Sequence, residues 1–257
     1  MKIHFLGAHN CETATTGLMC LLVDDKYALD AGALTRHLSL SAMFNLEAAL
    51  LTHGHFDHVR DIPTLGMNLF LHGKSIDVYG NAQTRENLAY CLLNGTVYSK
   101  FFEKPADKPT LRFNVVEAGI DFKLGDYEVL PVALPHAAPA LGYQLTDASG
   151  KRFFYTGDTG AGLSQYFKSI TPDLMVVEVT GPSRYTEFFS TEGGHLTPEL
   201  LGRELKIFQR LKGYLPPVAC VHMSPSGEAA IAAEIEALSA ELRTPIYLAH
   251  EGMTVTI

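Results

Sequence analysis

The stretch Thr52-His53-Gly54-His55-Phe56-Asp57-His58 decides the fold of this chain, and it follows an apolar strand predicted over residues 48–52. His53 and His55 are two residues apart, so an extended loop directs both side chains to the same side. Asp57 and His58 follow where the chain turns, and Asp57 is predicted to cap a short helix there. Imidazole and carboxylate groups suit zinc, iron and manganese, so the loop predicts two adjacent metal sites. The alternative is a histidine-rich polar loop without metal, but such loops rarely combine these ligands at this spacing.

Around this loop, short apolar stretches of strand length alternate with turns and amphipathic helices. Hairpins are predicted around Gly125-Asp126 and around residues 147–150. From residue 173 onwards, predicted strands alternate with helices over 198–211 and 228–242, where apolar residues recur at helical spacing. This pattern predicts an α/β fold of sheets covered by helices on their outer faces, as one domain over residues 1–257.

Composition restricts the class of protein. Hydrophobic residues make up 47% of the chain and charged residues 19%, as in globular proteins. No stretch approaches the ~20 apolar residues of a membrane span, and the N-terminus lacks the pattern of a secretory signal, so the sequence predicts a cytoplasmic protein without a membrane partner. The four cysteines form no C-x-x-C pair, which favours buried thiols over disulfides or a cysteine zinc site.

The H-x-H-x-D-H pattern after an apolar strand resembles the signature of the metallo-β-lactamase superfamily. The other motifs of that superfamily are matched in order by Leu29-Asp30-Ala31-Gly32, Leu134-Pro135-His136, Tyr155-Thr156-Gly157-Asp158-Thr159-Gly160 and Ala219-Cys220-Val221-His222-Met223-Ser224. The resemblance implies an αββα sandwich, in which two packed β-sheets carry helices on both outer faces.

The resemblance also implies a division of labour around two divalent ions. His53, His55 and His136 would hold one ion, Asp57, His58 and His222 would hold the other, and Asp158 would bridge them. Asp30 would brace the His53 loop through hydrogen bonds without touching a metal. Two ions roughly 3.5–4 Å apart can share a hydroxide that attacks the substrate. Asp57 is in addition a candidate catalytic carboxylate.

His222 has a competitor for the role of last ligand. His250 also follows a buried strand, but His222 is preferred because it precedes a Met-Ser-Pro loop like that of the superfamily. His250 is then expected at the mouth of the pocket or in a structural role. His9 lies in a loop after the first strand, and it is a second candidate for a contact with the pocket.

The segment Gly193-Gly194-His195-Leu196-Thr197 bears on the substrate. Thr197 is predicted to cap a helix that begins at Pro198, so His195 is either incidental to a capping loop or functional. The segment resembles the Gly-His-Leu motif of class II cyclic-nucleotide phosphodiesterases and, more loosely, the His-x-Thr motif of tRNA 3′-end processing nucleases. The resemblance implies a catalytic His195 that assists the phosphate or its leaving oxygen, as an imidazole can near neutral pH.

The resulting prediction is a dinuclear hydrolase of small phosphodiesters, similar to the cyclic-nucleotide phosphodiesterases. An RNA-processing nuclease ranks lower, because the net charge is −8 and no basic arm is evident. A lactonase or thioesterase with the same two-metal core is a further alternative. A non-catalytic metal-binding protein is disfavoured because all the ligand positions are filled.

The cofactor and the partners are predicted less specifically. The histidine-rich ligand set favours zinc, and manganese or iron would also fit. A small molecule, a phosphodiester, is the expected partner, and nucleic acid is a less favoured alternative. The sequence does not reveal the oligomeric state, and a homodimer stays open.

Overall fold

Two seven-stranded sheets form the centre of the fold in the computed structural model, which describes residues 1–257 apart from the side chains of residues 192 and 193. The first sheet has the order β14-β1-β2-β3-β4-β5-β6 and the second the order β13-β12-β11-β10-β9-β8-β7. The strands of the first sheet are β1 (Lys2–Gly7), β2 (Cys20–Val23), β3 (Tyr27–Leu29), β4 (Ala48–Leu50), β5 (Ile76–Gly80), β6 (Leu111–Val115) and β14 (Thr254–Thr256). The strands of the second sheet are β7 (Phe122–Leu124), β8 (Tyr127–Leu134), β9 (Ala140–Thr146), β10 (Arg152–Tyr155), β11 (Leu174–Glu178), β12 (Val218–Val221) and β13 (Ile246–Leu248).

The two sheets have the same pattern of strand directions. In the first sheet β14, β1, β2 and β3 pair antiparallel, and β3 to β6 pair parallel. In the second sheet β7 to β10 pair antiparallel, and β10 to β13 pair parallel. Because the carboxyl ends of parallel strands meet at one edge, each sheet gathers the loops after those strands in one place.

Helices cover the outer faces of both sheets. They are α1 (Leu34–His37), α2 (Leu40–Phe44), α3 (Phe56–Val59), α4 (Ile62–Phe70), α5 (Ala82–Asn87), α6 (Thr186–Phe188), α7 (Pro198–Lys212) and α8 (Glu228–Leu242). No helix among the described residues is both long and apolar enough to span a bilayer.

The buried apolar residues define the layers. Ile62 and Leu65 of α4 share one cluster with Ala49 of β4, so this helix covers the outer face of the first sheet. A larger cluster joins residues of both sheets, such as Leu50 and Phe153, with those of α7 and α8. Burying each such side chain contributes about 1.5–3 kcal/mol. The layer order of helix, sheet, sheet and helix confirms the predicted sandwich.

Two predicted helix starts have different outcomes. Thr197 accepts a hydrogen bond from the Leu200 amide ahead of Pro198, so the predicted cap of α7 is confirmed. The predicted cap of α3 is wrong, because His55 occupies the N-cap position and Asp57 lies in the first turn. The Asp57 carboxylate instead contacts His222 Nε2 at 3.1 Å.

Candidate metal centre

The predicted metal ligands follow the carboxyl ends of strands in both sheets. His53 follows β4, His136 follows β8, Asp158 follows β10 and His222 follows β12. The structure brings all seven predicted ligands together in two groups, and the ligand atoms of each group lie within 4.8 Å of one another. One group comprises His53, His55, His136 and Asp158, and the other comprises Asp57, His58, Asp158 and His222. Asp158 belongs to both groups.

Tight backbone turns make this convergence possible. A Cβ atom on Gly32 would lie 2.0 Å from the Asp57 carbonyl oxygen, so the turn after Asp30 passes directly against the metal loop. Gly157 has a φ of 58°, which glycine adopts at little cost, and a Cβ there would overlap Thr52. His222 itself has a φ of 65°, a left-handed conformation uncommon for other residues. Such conformations concentrate at functional sites, where the surrounding structure enforces them.

The first group surrounds one face of Asp158. His53 Nε2 lies 3.6 Å from Asp158 Oδ2, and His136 Nε2 lies 3.9 Å from the same oxygen. His55 Nδ1 is 3.4 Å from His136 Nε2. His53 Nδ1 lies 3.0 Å from the Thr52 hydroxyl, and His136 Nδ1 donates to the Gly194 carbonyl at 3.1 Å. These outer hydrogen bonds leave the Nε2 atoms of both rings directed into the group.

The second group surrounds the other oxygen of Asp158. His58 Nε2 and His222 Nε2 lie 3.1 and 3.3 Å from Asp158 Oδ1, and Asp57 Oδ2 lies 3.1 Å from His222 Nε2. His222 Nδ1 contacts the Thr180 hydroxyl at 2.8 Å, and that hydroxyl donates to Glu178. Burial opposes ionisation of Asp57, but the hydrogen bond with His222 and the neighbouring His58 outweigh burial and lower its pKa to about 2.

Asp30 lies behind both groups and is fully buried. Its Oδ1 accepts from the backbone amide of Thr52 at 2.8 Å, which fixes the start of the His53 loop. Its Oδ2 accepts from His58 Nδ1 and from the Tyr155 hydroxyl, each at 2.7 Å. The carboxylate therefore holds the start of the His53 loop and the His58 ring in one arrangement.

The chemistry of the donor set fits divalent cations. Three buried atoms, His53 Nε2, His58 Nε2 and Asp158 Oδ1, make no hydrogen bond of acceptable geometry with the described residues. Burial, followed by the nearby His58, lowers the pKa of His53 well below its usual value, so that ring offers a free lone pair. Burial raises the pKa of Asp158, but the surrounding histidines outweigh burial and hold the pKa well below its usual value. Inward-facing imidazole nitrogens around a buried carboxylate suit zinc, manganese or iron.

A cavity of about 620 Å³ opens over the two groups. Its wall is formed by Asn10, Cys11, Glu12, Leu18, His55, Phe56, Asp57, Arg60, Asp158, His195 and His222. At the rim, Arg60 forms an ion pair with Glu12, and the Phe56 side chain is 61% exposed. The cavity is in the size range of small-molecule sites.

His195 faces this cavity and is held by a carboxylate that the sequence did not single out. His195 Nδ1 donates to Glu178 Oε1 at 2.7 Å, and the His195 ring stacks on that of His222 at 5.3 Å. Burial lowers the pKa of His195, but the charge and hydrogen bond of Glu178 outweigh it and raise the pKa to about 9. Glu178 is fully buried at the end of an otherwise apolar strand. Burying a carboxylate costs free energy unless it is paired. An acidic residue at the end of an apolar strand was therefore the sequence signal that could have identified Glu178.

The two candidate pocket residues lie elsewhere. His9 is only 2% exposed, and its Nδ1 lies 2.7 Å from Glu251 Oε1. That contact draws its ring away from the cavity, whose wall is formed instead by the next residues of the same loop, such as Asn10. His250 is exposed, and its Nδ1 contacts the Glu251 carbonyl at 3.1 Å. Among the described residues, neither histidine lines the cavity.

Comparisons with known proteins agree with this fold. The profile of the family described as the beta-lactamase superfamily domain matches residues 31–240. The chain therefore belongs to the metallo-β-lactamase superfamily. The structure of unliganded yeast PDE1 is similar with a TM-score of 0.81, 17% identity and coverage of 100% of this chain and 99% of that chain. The metallo-β-lactamase fold protein YhfI of Bacillus subtilis is similar with a TM-score of 0.75, 18% identity and coverage of 99% and 98%.

A sequence relative is also similar over part of the chain. The ribonuclease Z of Methanopyrus kandleri is 25% identical over 153 residues, which are 56% of this chain and 50% of the relative. The chain spans half or less of the length of the curated relatives that it matches.

Proposed function

We propose that this protein is a metal-dependent hydrolase that cleaves phosphodiesters with two divalent ions held by the two ligand groups. One observation carries the proposal: His195, fixed by the buried Glu178, faces the same cavity as Asp57, Asp158 and His222. A hydrolase of diesters needs a group that activates water and a group that protonates a poor leaving oxygen. The cavity offers residues of both kinds within a few ångströms.

The ligand residues would bind and orient the ions, and zinc is the first choice for this donor set. His53, His55 and His136 would hold one ion, Asp57, His58 and His222 the other, and Asp158 would contact both. Bound there, the ions would supply Lewis acidity toward water and toward the phosphoryl oxygens. Asp30 would keep His58 in its ligating orientation through the 2.7 Å hydrogen bond.

His195 would act on the leaving group. Its Nδ1 is occupied by Glu178, so the proton on Nε2 is the one directed toward substrate. The oxygen of water attacks phosphorus, the P–O bond to the alcohol breaks, and its electron pair takes the His195 proton. The proton released by the attacking water restores His195. Proton transfer of this kind contributes about 10²–10⁴ in rate.

The names of similar proteins support phosphodiesters as the substrate class. One relative is named ribonuclease Z, and one similar structure is named PDE1. A ribonuclease is the second candidate because of the first name. The net charge of −8 favours a small substrate, since a grip on RNA needs a basic surface. Carbon esters are the further alternative, since the same two-metal core can serve them.

The test combines metal content with substrate range. Purified protein is analysed for bound metal and then assayed with bis(p-nitrophenyl) phosphate, a lactone and a thioester. We expect two equivalents of metal per chain and turnover of the phosphodiester above that of both carbon esters. Turnover of only the lactone or the thioester would retain the metal centre and overturn the substrate class. Failure to bind zinc or manganese on reloading would overturn the proposal as a whole.

A further inference from the structure

A second cavity of about 410 Å³ lies beside His195. It shares Asn10 and His195 with the cavity over the metal ligands, so the two spaces meet at the His195 ring. Its other walls come from the loop after β11 and the turn before α8. The second cavity therefore continues the first one on the side where His195 stands.

Aromatic surfaces form one wall of the second cavity. Phe189 meets the His195 ring edge to face with centroids 5.9 Å apart, and Tyr185 lies 6.4 Å from Phe189. The Arg184 guanidinium lies 4.9 Å from the Tyr185 ring, and Tyr185 is 47% exposed. Exposed rings and a flat guanidinium at a cavity wall favour a planar, electron-rich ligand that stacks on them.

Hydroxyl groups also line the second cavity. Ser224 and Ser226 line the cavity with their hydroxyl oxygens 3.2 Å apart, so each can also donate to or accept from a ligand. Thr180 lines it too, but its hydroxyl already donates to Glu178. The cavity thus pairs a stacking wall with a hydrogen-bonding wall, as suits a molecule with a flat ring and a hydroxylated body.

The position of His195 assigns a role to the second cavity, and this assignment rests on the proposed function. A residue that protonates the leaving oxygen lies on the leaving-group side of phosphorus, so the departing alcohol extends past His195. The space past His195 is the second cavity. We propose that the second cavity binds the leaving alcohol and selects alcohols that carry a flat aromatic ring and hydroxyl groups, the chemistry of a nucleoside.

The test compares two diesters whose leaving alcohols have similar acidity. Dithymidine phosphate releases a nucleoside whichever P–O bond breaks, and dimethyl phosphate, which carries no ring, releases methanol whichever P–O bond breaks. Both are assayed with the metal-loaded enzyme, as wild type and as Tyr185→Ala and Tyr185→Phe. Tyr90→Ala is the matched control, because Tyr90 is 83% exposed and lines a separate cavity.

We expect Tyr185→Ala to lower kcat/KM for dithymidine phosphate about 10-fold, within the range for loss of one base stack. Its loss on methanol release should be at least about fivefold smaller. Tyr185→Phe, which keeps the ring, should restore the dinucleotide rate, and Tyr90→Ala should match wild type. Equal losses on the two substrates, or no loss on either, would overturn the subsite.

A binding measurement separates this proposal from the proposed function. Thymidine binding to the metal-free protein is followed by saturation-transfer NMR, and we expect Tyr185→Ala to weaken it by the same factor as kcat/KM. Unchanged thymidine binding in the variant would overturn the subsite even if phosphodiesters are hydrolysed. If wild type binds thymidine but does not hydrolyse bis(p-nitrophenyl) phosphate, the proposed function fails, and the assignment to a leaving group fails with it.

Discussion

Asp30 directly follows β3 in the first sheet, and Glu178 is the last residue of β11 in the second, so each carboxylate lies at the carboxyl end of a strand. Both are fully buried, and each accepts a hydrogen bond of 2.7 Å from a histidine Nδ1. The histidines differ. The His58 side chain is 0% exposed between two carboxylates, whereas the His195 side chain is 19% exposed and faces the cavity. The same bond therefore orients a fully buried ring in one case and a ring that faces the cavity in the other.

The remaining partners of the two carboxylates follow this division. Asp30 also accepts from the Thr52 amide and the Tyr155 hydroxyl, so it joins the two sheets behind the ligands. Glu178 also accepts from the amide of Thr159, the residue after Asp158, and from the Thr180 hydroxyl, which in turn contacts His222 Nδ1. Asp30 contacts His58 directly, whereas Glu178 contacts His195 directly and reaches His222 only through Thr180. Loss of Asp30 should therefore disturb the geometry of the candidate ligands, and loss of Glu178 should chiefly disturb His195.

The largest effect is expected where the two sheets meet, at Asp158. Asp158→Ala removes the carboxylate shared by both ligand groups, so we expect metal binding to fall at both sites. Phosphodiester turnover should drop at least about 10³-fold, because Lewis acid catalysis contributes several kcal/mol. Metal content by elemental analysis and kcat/KM measure the two effects, with circular dichroism as the check on folding. A folded variant that retains both metals would contradict the bridging role.

The next largest effect is expected at His195, whose ring is held by Glu178 of the second sheet. His195→Gln keeps a polar side chain but cannot supply a proton, so we expect kcat to fall about 10²–10³-fold with metal content unchanged. The loss should be larger for an alkyl alcohol than for p-nitrophenol, because p-nitrophenolate leaves without a proton. Parallel kcat measurements on both kinds of ester decide the point. Equal losses on both would assign His195 a role other than protonation of the leaving group.

Neutralising Asp30 or Glu178, one at a time, tests whether the two carboxylates have different roles. Asp30→Asn should weaken zinc affinity about 10–100-fold, as loss of a partner of a metal ligand does. Glu178→Gln should leave zinc affinity within about threefold of wild type and lower kcat at saturating zinc about 10-fold or more. Competition with a chelating indicator measures affinity, and melting temperatures identify general destabilisation. If both variants lose zinc to the same extent, the two carboxylates have the same role.

The candidate site residues that follow the first sheet were more completely predictable from the sequence than Glu178 at the end of a strand in the second sheet. The H-x-H-x-D-H loop concentrates its ligands in one short segment, so local spacing alone indicated His53, His55, Asp57 and His58. Glu178 was missed because its partner His195 lies 17 residues away, and only the fold brings the two together. Apolar patterning predicted the strands and the layered class, and turn residues predicted the hairpins β7–β8 and β9–β10. The parallel pairings depend on contacts between distant segments.

The start of α3 and the place of His9 were not predicted correctly for a related reason. Asp57 was expected to cap a helix from local spacing, but its carboxylate contacts His222, which is 165 residues away. His9 was assigned to the pocket because of its loop, but its partner Glu251 lies near the other end of the chain. In both cases a contact with a residue far away in the sequence determines where the side chain lies, and the local sequence pattern does not show that contact.

The smallest effect is predicted for the His9–Glu251 pair. This pair serves as the control for the Asp30–His58 and Glu178–His195 pairs. Its hydrogen bond is also 2.7 Å, yet it lies outside the metal ligands, and Glu251 additionally accepts from the Gly17 amide at 2.7 Å. Burial raises the pKa of Glu251, but these bonds outweigh it and lower the pKa to about 2. The unfolded value is about 4.3, so the stabilisation from the charged carboxylate is complete above that pH and is lost as pH falls toward 2.

Glu251→Gln should therefore lower the free energy of unfolding by about 1–3 kcal/mol at pH 6, and the difference from wild type should shrink between pH 4 and pH 2. Urea unfolding across that range measures the difference. Zinc content and kcat should stay within about twofold of wild type, because the pair touches neither ligand group. A gap that stays constant with pH would show that Glu251 acts through its shape and not its charge. A loss of metal would mean that the N-terminal loop, and not only the two strand-end carboxylates, determines ligand geometry.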